Sequence, residues 1–300
     1  MKQNFNEANR DLQIWVGGEL RHRDDAKVSV FDSLVQGGDG CWEGLRLYDG
    51  RIFKLDQHLQ RLRHSALALA FEEIPDEAQI LDAIRRTLEA NQMRDGVHIR
   101  LTLSRGTKIT SGMDPRLNQA GPTLIVLAEH KAPVYDKTGL NLVSSSLRRF
   151  PADCLDPKIH HNNLLQSILA KVEANAAGAD DALMLDVHGF VAETNATHIF
   201  GVNDGKLFTP TTRACPEGVT RATVLEICTS EGIEAEVRSV SQAELYRADE
   251  VFCTGTMGEL AAVARIDGRP IGSATPGPMS IRLSELYAAR TASEGTPVVA

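Results

Sequence analysis

From residue 98 to 104 the chain reads His-Ile-Arg-Leu-Thr-Leu-Ser, an alternation that an extended strand sorts onto two faces. Ile99, Leu101 and Leu103 fall on one side, and His98, Arg100 and Thr102 on the other. A buried-type strand is expected at Thr123–Leu127. Ala132-Pro-Val-Tyr-Asp136 then reads as a linker, because Pro133 interrupts any ladder. Further strands are expected near Asn141–Ser145, Ala182–Leu185, His198–Val202 and Glu250–Thr254. Helical spacing is interleaved with these strands. Asp56 is placed to cap a helix through His58, Arg61, Leu62, Ser65 and Ala66. Ile80, Leu81, Ile84 and Leu88 mark a second helix, and Leu164, Leu165, Ile168, Leu169 and Val172 an amphipathic third. A fourth starts after Pro216-Glu-Gly218 and carries Val224, Leu225 and Cys228. No GxGxxG opens a helix. This mixture predicts an α/β (α+β) chain of two domains around a cleft. The N-terminal α/β domain is expected over 1–131, a linker over 132–137 and a C-terminal domain over 138–300. The first dozen residues and the tail from about Thr291 read as frayed ends.

A chain of 300 residues buries a sizeable core, and 42% hydrophobic with 24% charged residues is ordinary for a globular protein. The net charge of −8 argues against a nucleic-acid partner, which needs a basic surface. It also means that an anionic cofactor requires a local positive site. The five cysteines are scattered with no CxxC spacing, the pattern of free thiols in a cytoplasmic protein. The polar opening MKQNFNEANRD has no apolar core of a signal peptide, and no run approaches the ~20 apolar residues of a membrane span.

Several segments could carry chemistry. In Cys215-Pro-Glu-Gly-Val-Thr-Arg221 a glycine precedes a helix start, where unpaired N–H groups and the helix dipole suit a phosphate. An ordinary loop-to-helix turn has the same look. Glu193 closes a short strand after the His188-Gly189 turn. It is either solvated surface or the partner of a protonated ring nitrogen. Arg61 is either a helix-surface arginine or a bidentate phosphate ligand. Arg100 sits mid-strand, where a charge is costly without a partner, so it needs a salt bridge or a substrate carboxylate. Thr254-Gly-Thr-Met-Gly-Glu259 suits a phosphate cradle or a plain turn. His160-His161 suggests a metal, but neighbours on a strand point to opposite faces and no further ligand motif accompanies them, so no metal site is expected.

The order of these pieces says more than any one of them. DGCWEGLRLYDGRIFKLDQHLQRL, HIRLTLSRG, DPKIHHNNLLQSILAK, ALMLDVHGFVAETNATHIF, CPEGVTRATVLEI and ADEVFCTGTMGELAAV follow one another over roughly residues 28 to 290. This order resembles the class IV, or fold-type IV, aminotransferases of the branched-chain and D-amino-acid type. The resemblance implies a two-domain pyridoxal 5'-phosphate (PLP) enzyme with its active site in the interdomain cleft, and a homodimer or larger homo-oligomer. It implies transfer of an amino group between an amino acid, branched-chain or similar, and a 2-oxo acid. Arg61, Thr256 and the amides of Val219 and Thr220 would bind the cofactor phosphate, and Glu193 the pyridine nitrogen. Arg100 would line the substrate pocket, with Trp42 shaping it.

The chain departs from the family pattern at the lysine that forms the Schiff base. Aligned without gaps on Asn163, that column holds His160. With the one-residue-longer spacing of branched-chain enzymes it holds Ile159, and only a longer loop brings Lys158 into place. Two residues along a strand displace a side chain by about 6.6 Å. Lys158 and His160 are therefore both catalytic candidates. Lys158 would form the covalent link, whereas His160, which cannot form an imine, would act as acid or base. A lysine-less enzyme with lyase-like chemistry, or a non-catalytic PLP-binding protein, is the alternative. His198 stands where relatives usually carry asparagine.

Overall fold

The computed structural model describes residues 4–133, 135 and 139–300. Of the expected linker, Val134, Asp136 and Lys137 lie outside the described residues. The chain forms two compact units. Of the described residues, one unit gathers 4–132 together with Ile159–Asn163 and Thr291–Ala300; the other holds those of Pro133–Lys158 and Leu164–Arg290. The sequence reading runs the C-terminal domain unbroken from 138 to 300, whereas here two short segments return to the N-terminal unit. Thr296–Pro297 pairs with Arg51–Ile52, and Cys41 bridges to His161. The tail expected to fray is thus tied down: a helix runs over Pro278–Ser293 and the last strand joins a sheet.

The first unit is built on a seven-stranded antiparallel sheet. Its centre is Gly40–Tyr48, Val97–Ser104 and Thr123–His130, paired in register from Gly40 opposite Ser104 to Leu47 opposite Val97. The alternation at 98–104 becomes a strand, but both of its faces are largely covered. Ile99, Leu101 and Leu103 are fully buried, and His98 and Thr102 are nearly so. Helices Leu55–Ala68 and Glu77–Ala90 supply Leu55, Leu62, Ile84 and Leu88 to the same core as Leu45, Leu47 and Ile52. Removing one such aliphatic side chain costs about 2–5 kcal/mol. Asp56 is not the cap of its helix. The helix begins one residue earlier, after Lys54 in the left-handed conformation, and Asp56 lies in the first turn, where its charge suits the helix dipole.

The second unit carries a nine-stranded mixed sheet. Val191–Thr194 pairs with Asp181–Leu185, and His198–Asn203 pairs antiparallel with Glu250–Gly255. Phe200 and Phe252 stack across the latter pair, with centroids 5.1 Å apart. The expected third helix forms over Leu165–Ala176 with its polarity reversed. Ala170 and Ala174 are buried, whereas Leu165, Ile168, Leu169 and Val172 are 45–65% exposed. The small alanines let the helix approach its sheet closely, and the long aliphatic ridge faces outward. No helix among the described residues is long and apolar enough to cross a membrane.

Candidate active site

In the first unit, chemistry gathers on Gly40–Tyr48. Trp42 is sandwiched there: the Arg100 guanidinium lies 3.5 Å from its ring centroid, and the His160 ring stacks on it at 4.3 Å. Arg100 sits opposite Gly44, where an added Cβ would lie 3.3 Å from the His98 ring and 3.6 Å from the Trp42 ring. Burial brings the Arg100 pKa down to about 10, opposed by the charge of Glu43. No salt bridge ties Arg100 to a carboxylate among the described residues, so of its two sequence readings the internal salt bridge is absent.

Glu43, which the sequence reading passed over, is the fully buried hub of this group. Arg61 donates to it twice, Nε to Oε1 and Nη2 to Oε2, both at 2.7 Å. His58 Nδ1 lies 2.6 Å from Oε2, and His160 Nδ1 lies 3.3 Å from Oε1. Burial by itself would push the Glu43 pKa up. The charge of Arg61, with the hydrogen bonds from Arg61 and His160, reverses this and holds the carboxyl well below the usual range. Arg61, expected at a phosphate, is thus paired with a carboxylate. A guanidinium has five N–H donors, so this pairing does not by itself exclude a second anion. Glu43 could have been found by the argument applied to Arg100, since a charge inside an apolar strand demands a partner.

His160 is held at both ends. Its backbone N–H donates to Ser65 Oγ at 3.0 Å, and its carbonyl accepts from the Trp42 N–H at 3.0 Å. Its Nδ1 is 2.6 Å from the Trp42 carbonyl oxygen. A carbonyl only accepts, so Nδ1 carries the proton and Nε2 the lone pair of the neutral ring. Burial, and then Arg61, lowers the His160 pKa, with Glu43 opposing. The ring is thus held as a neutral imidazole.

In the second unit, Glu193 is 5% exposed and its Oε1 meets Arg149 Nη2 at 2.9 Å. Arg149 is itself held by Ser167 Oγ and the Thr194 carbonyl. It follows a strand as one of two consecutive arginines, and nothing in the sequence separates it from a surface residue. The helix Val219–Ser230 starts after Gly218 with no side-chain cap, so the amides of Val219 and Thr220 lie at an uncapped N-terminus. A Cβ on Gly218 would come within 2.3 Å of the His198 ring, so only glycine permits this approach. His198 in turn pairs with Thr254, one residue before Gly255-Thr256. The buried Thr254 hydroxyl has no hydrogen-bond partner among the described residues. One ring nitrogen of His198 and a Glu193 oxygen lie within 4.8 Å of each other. Helix start, hydroxyl tract and buried carboxylate thus adjoin around His198.

Lys158 belongs to this second unit and His160 to the first. The Lys158 ammonium donates to Thr212 Oγ1 at 2.8 Å and pairs with Glu217 at 3.2 Å, with 40% of the side chain exposed. Its charge also acts on Cys215 beside Glu193.

The family model described as amino-transferase class IV matches residues 40–266. A branched-chain-amino-acid aminotransferase-like protein 2 from Arabidopsis thaliana is 54% identical over 97% of this chain. This chain spans about half the length of that relative and of a second Arabidopsis relative, 52% of each. A putative branched-chain-amino-acid aminotransferase from Methanocaldococcus jannaschii is 38% identical, over 92% of this chain and 95% of its own. Among solved structures, the T.th. branched-chain amino acid aminotransferase complexed with N-(5'-phosphopyridoxyl)-L-glutamate superposes with a TM-score of 0.87. It is 35% identical, over 94% of both chains.

Proposed function

Because the chain belongs to the class IV aminotransferase family, we propose that it is a PLP enzyme moving an amino group between a branched-chain or similar amino acid and a 2-oxo acid. The observation that carries this reading is the grouping around His198. An uncapped helix start, a buried hydroxyl lacking a partner among the described residues and a buried carboxylate with its arginine are what a phosphate and a pyridine nitrogen require. Val219, Thr220, Thr256 and Arg61 would hold the phosphate. Glu193, oriented by Arg149, would hold the ring nitrogen protonated. When bound, the cofactor supplies the electron sink for the bond broken at the substrate α-carbon. Arg100 offers a substrate carboxylate a cation with no competing ion pair among the described residues, and Trp42 gives an apolar side chain its wall.

Lys158 is the proposed amine for the covalent link, since it shares a unit with Glu193 and the helix start. Borohydride reduction of the purified protein, followed by peptide mass analysis, is expected to place the cofactor on Lys158, and 2-oxo-acid-dependent transfer is expected with branched-chain amino acids. An unmodified chain after reduction would reject Lys158. Failure of transfer across an amino-acid panel would reject the activity. A second reading has its own support: His160 is a neutral imidazole with its Nε2 lone pair defined, the form needed by an acid-base group in a lysine-less enzyme of lyase-like chemistry.

The exposed ridge Leu165, Ile168, Leu169 and Val172 is the proposed seat of a second copy, giving a homodimer or larger homo-oligomer. Five unpaired cysteines suit a reducing compartment, and the cytoplasm is the proposed location.

A further inference from the structure

Glu193, His198 and Cys215 each direct one ligand-type atom into a common space, with these atoms all within 4.8 Å of one another. The residues are 5%, 8% and 1% exposed. Cys215 Sγ is 3.9 Å from His198 Nδ1. The imidazole cannot swing away freely, because its Cδ2–Nε2 edge abuts the bare Cα of Gly218 and leaves the Nδ1 edge toward the thiol. Around tetrahedral zinc, with Zn–S about 2.3 Å and Zn–N about 2.0 Å, sulfur and nitrogen ligands lie about 3.5 Å apart. The observed sulfur–nitrogen distance is within a few tenths of an ångström of that value, and a Glu193 oxygen lies within 4.8 Å of the sulfur and of a ring nitrogen. A thiolate, an imidazole and a carboxylate together select a borderline cation over magnesium or calcium, which prefer oxygen alone.

We propose that Glu193, His198 and Cys215 form a binding site for a divalent cation of the zinc type, with water as fourth ligand. Burial, and then the charge of Glu193, raises the Cys215 pKa, so the metal-free thiol keeps its proton. Binding forms the sulfur–metal bond and releases that proton to solvent. Arg221, Lys158 and Arg149 act in the opposite sense on Cys215 and favour the thiolate. Glu193 keeps its contact with Arg149 and shares a carboxylate lone pair with the cation. Cation and ring nitrogen would draw on the same carboxylate and so compete; that clause rests on the proposed function, and the metal site does not.

Cobalt(II) titrated into the full-length protein is the test. One equivalent is expected to produce a thiolate-to-cobalt charge-transfer band in the near ultraviolet, erased by excess zinc. Cys215→Ser removes the band, His198→Asn weakens binding about tenfold or more, and Cys154→Ser, at an exposed thiol, leaves the band in place. Absence of the band in the unmodified protein overturns the site. So does a band that survives Cys215→Ser, or one with undiminished affinity in His198→Asn should the serine variant fail to fold. If cobalt fills the site and zinc leaves PLP binding unchanged, the competition clause alone is rejected.

Discussion

His160 Nδ1 lies 2.6 Å from the carbonyl oxygen of Trp42 while the two rings stack at 4.3 Å. The carbonyl assigns the proton to Nδ1, and the stacking sets the plane in which Nε2 presents its lone pair. Burial, and then Arg61, keeps the ring neutral, so its unprotonated form is present at neutral pH. If His160 moves the reacting proton, His160→Ala lowers kcat by about 10²–10⁴-fold with saturating PLP. Steady-state kinetics decide the matter: turnover equal to that of the unmodified protein removes His160 from the chemistry.

Gly218 and His198 form a pair whose coupling is measurable. Gly218 has φ −72°, which alanine adopts without strain, so the only conflict is between the new Cβ and the imidazole, which would lie 2.2–2.3 Å apart. Gly218→Ala is expected to weaken PLP binding about tenfold or more by displacing the helix start. His198→Ala in the same chain should restore much of it. Additive losses in a double-mutant cycle of PLP dissociation constants would show that the contact does not govern the cradle.

Acid stability follows from His98 and Glu43. Folded His98 stays neutral down to about 3, chiefly through burial and then through Lys131, Arg100 and Arg46, whereas an ordinary histidine protonates at 6.5. The unfolded chain therefore binds more protons between these values, and stability falls as pH drops from 6.5 to about 3. Glu43 adds to the loss at the lower end. Its pKa is depressed below 4.5, so its contribution is present above 4.5 and disappears as pH falls through the depressed value. His98→Phe is expected to flatten the melting temperature against pH over the histidine window. A slope identical to that of the unmodified protein would assign the acid loss elsewhere.

Arg149 is expected to act on both stability and cofactor. Arg149→Met leaves Glu193 buried without its countercharge, a change that costs about 3–5 kcal/mol. Thermal unfolding should shift down accordingly, and PLP affinity should fall although Arg149 is assigned no cofactor contact. An unchanged melting temperature would mean that Glu193 finds another partner.

The outward ridge of Leu165–Ala176 predicts the oligomeric state. Ile168→Glu puts a charge at its centre, and light scattering is expected to show the unmodified protein as two or more copies and the variant as a single chain. Identical masses would free this face from the assembly.

The sequence by itself determined the elements and their order. Period-two and period-3.6 patterns depend on neighbours within a few residues, which is why the strand at 97–104 and the helix after Gly218 are legible. The family pattern also singles out Arg61, Arg100, Glu193 and Trp42. Pairings across long separations were decided only in the tertiary structure. Glu43 gathers His58, Arg61 and His160 from other parts of the chain, and Arg149 reaches Glu193 from a segment that looks like surface. The Leu165–Ala176 helix shows the limit most plainly. Periodicity identifies an apolar ridge but not what covers it, and the buried side proved to be the alanines. The same holds for Lys158 and His160. Two positions apart in sequence, they join different compact units, because the 159–163 segment takes its hydrogen bonds from Gly40 and Trp42. Backbone hydrogen bonds to a distant strand assigned each residue its neighbours, and no local pattern encodes them.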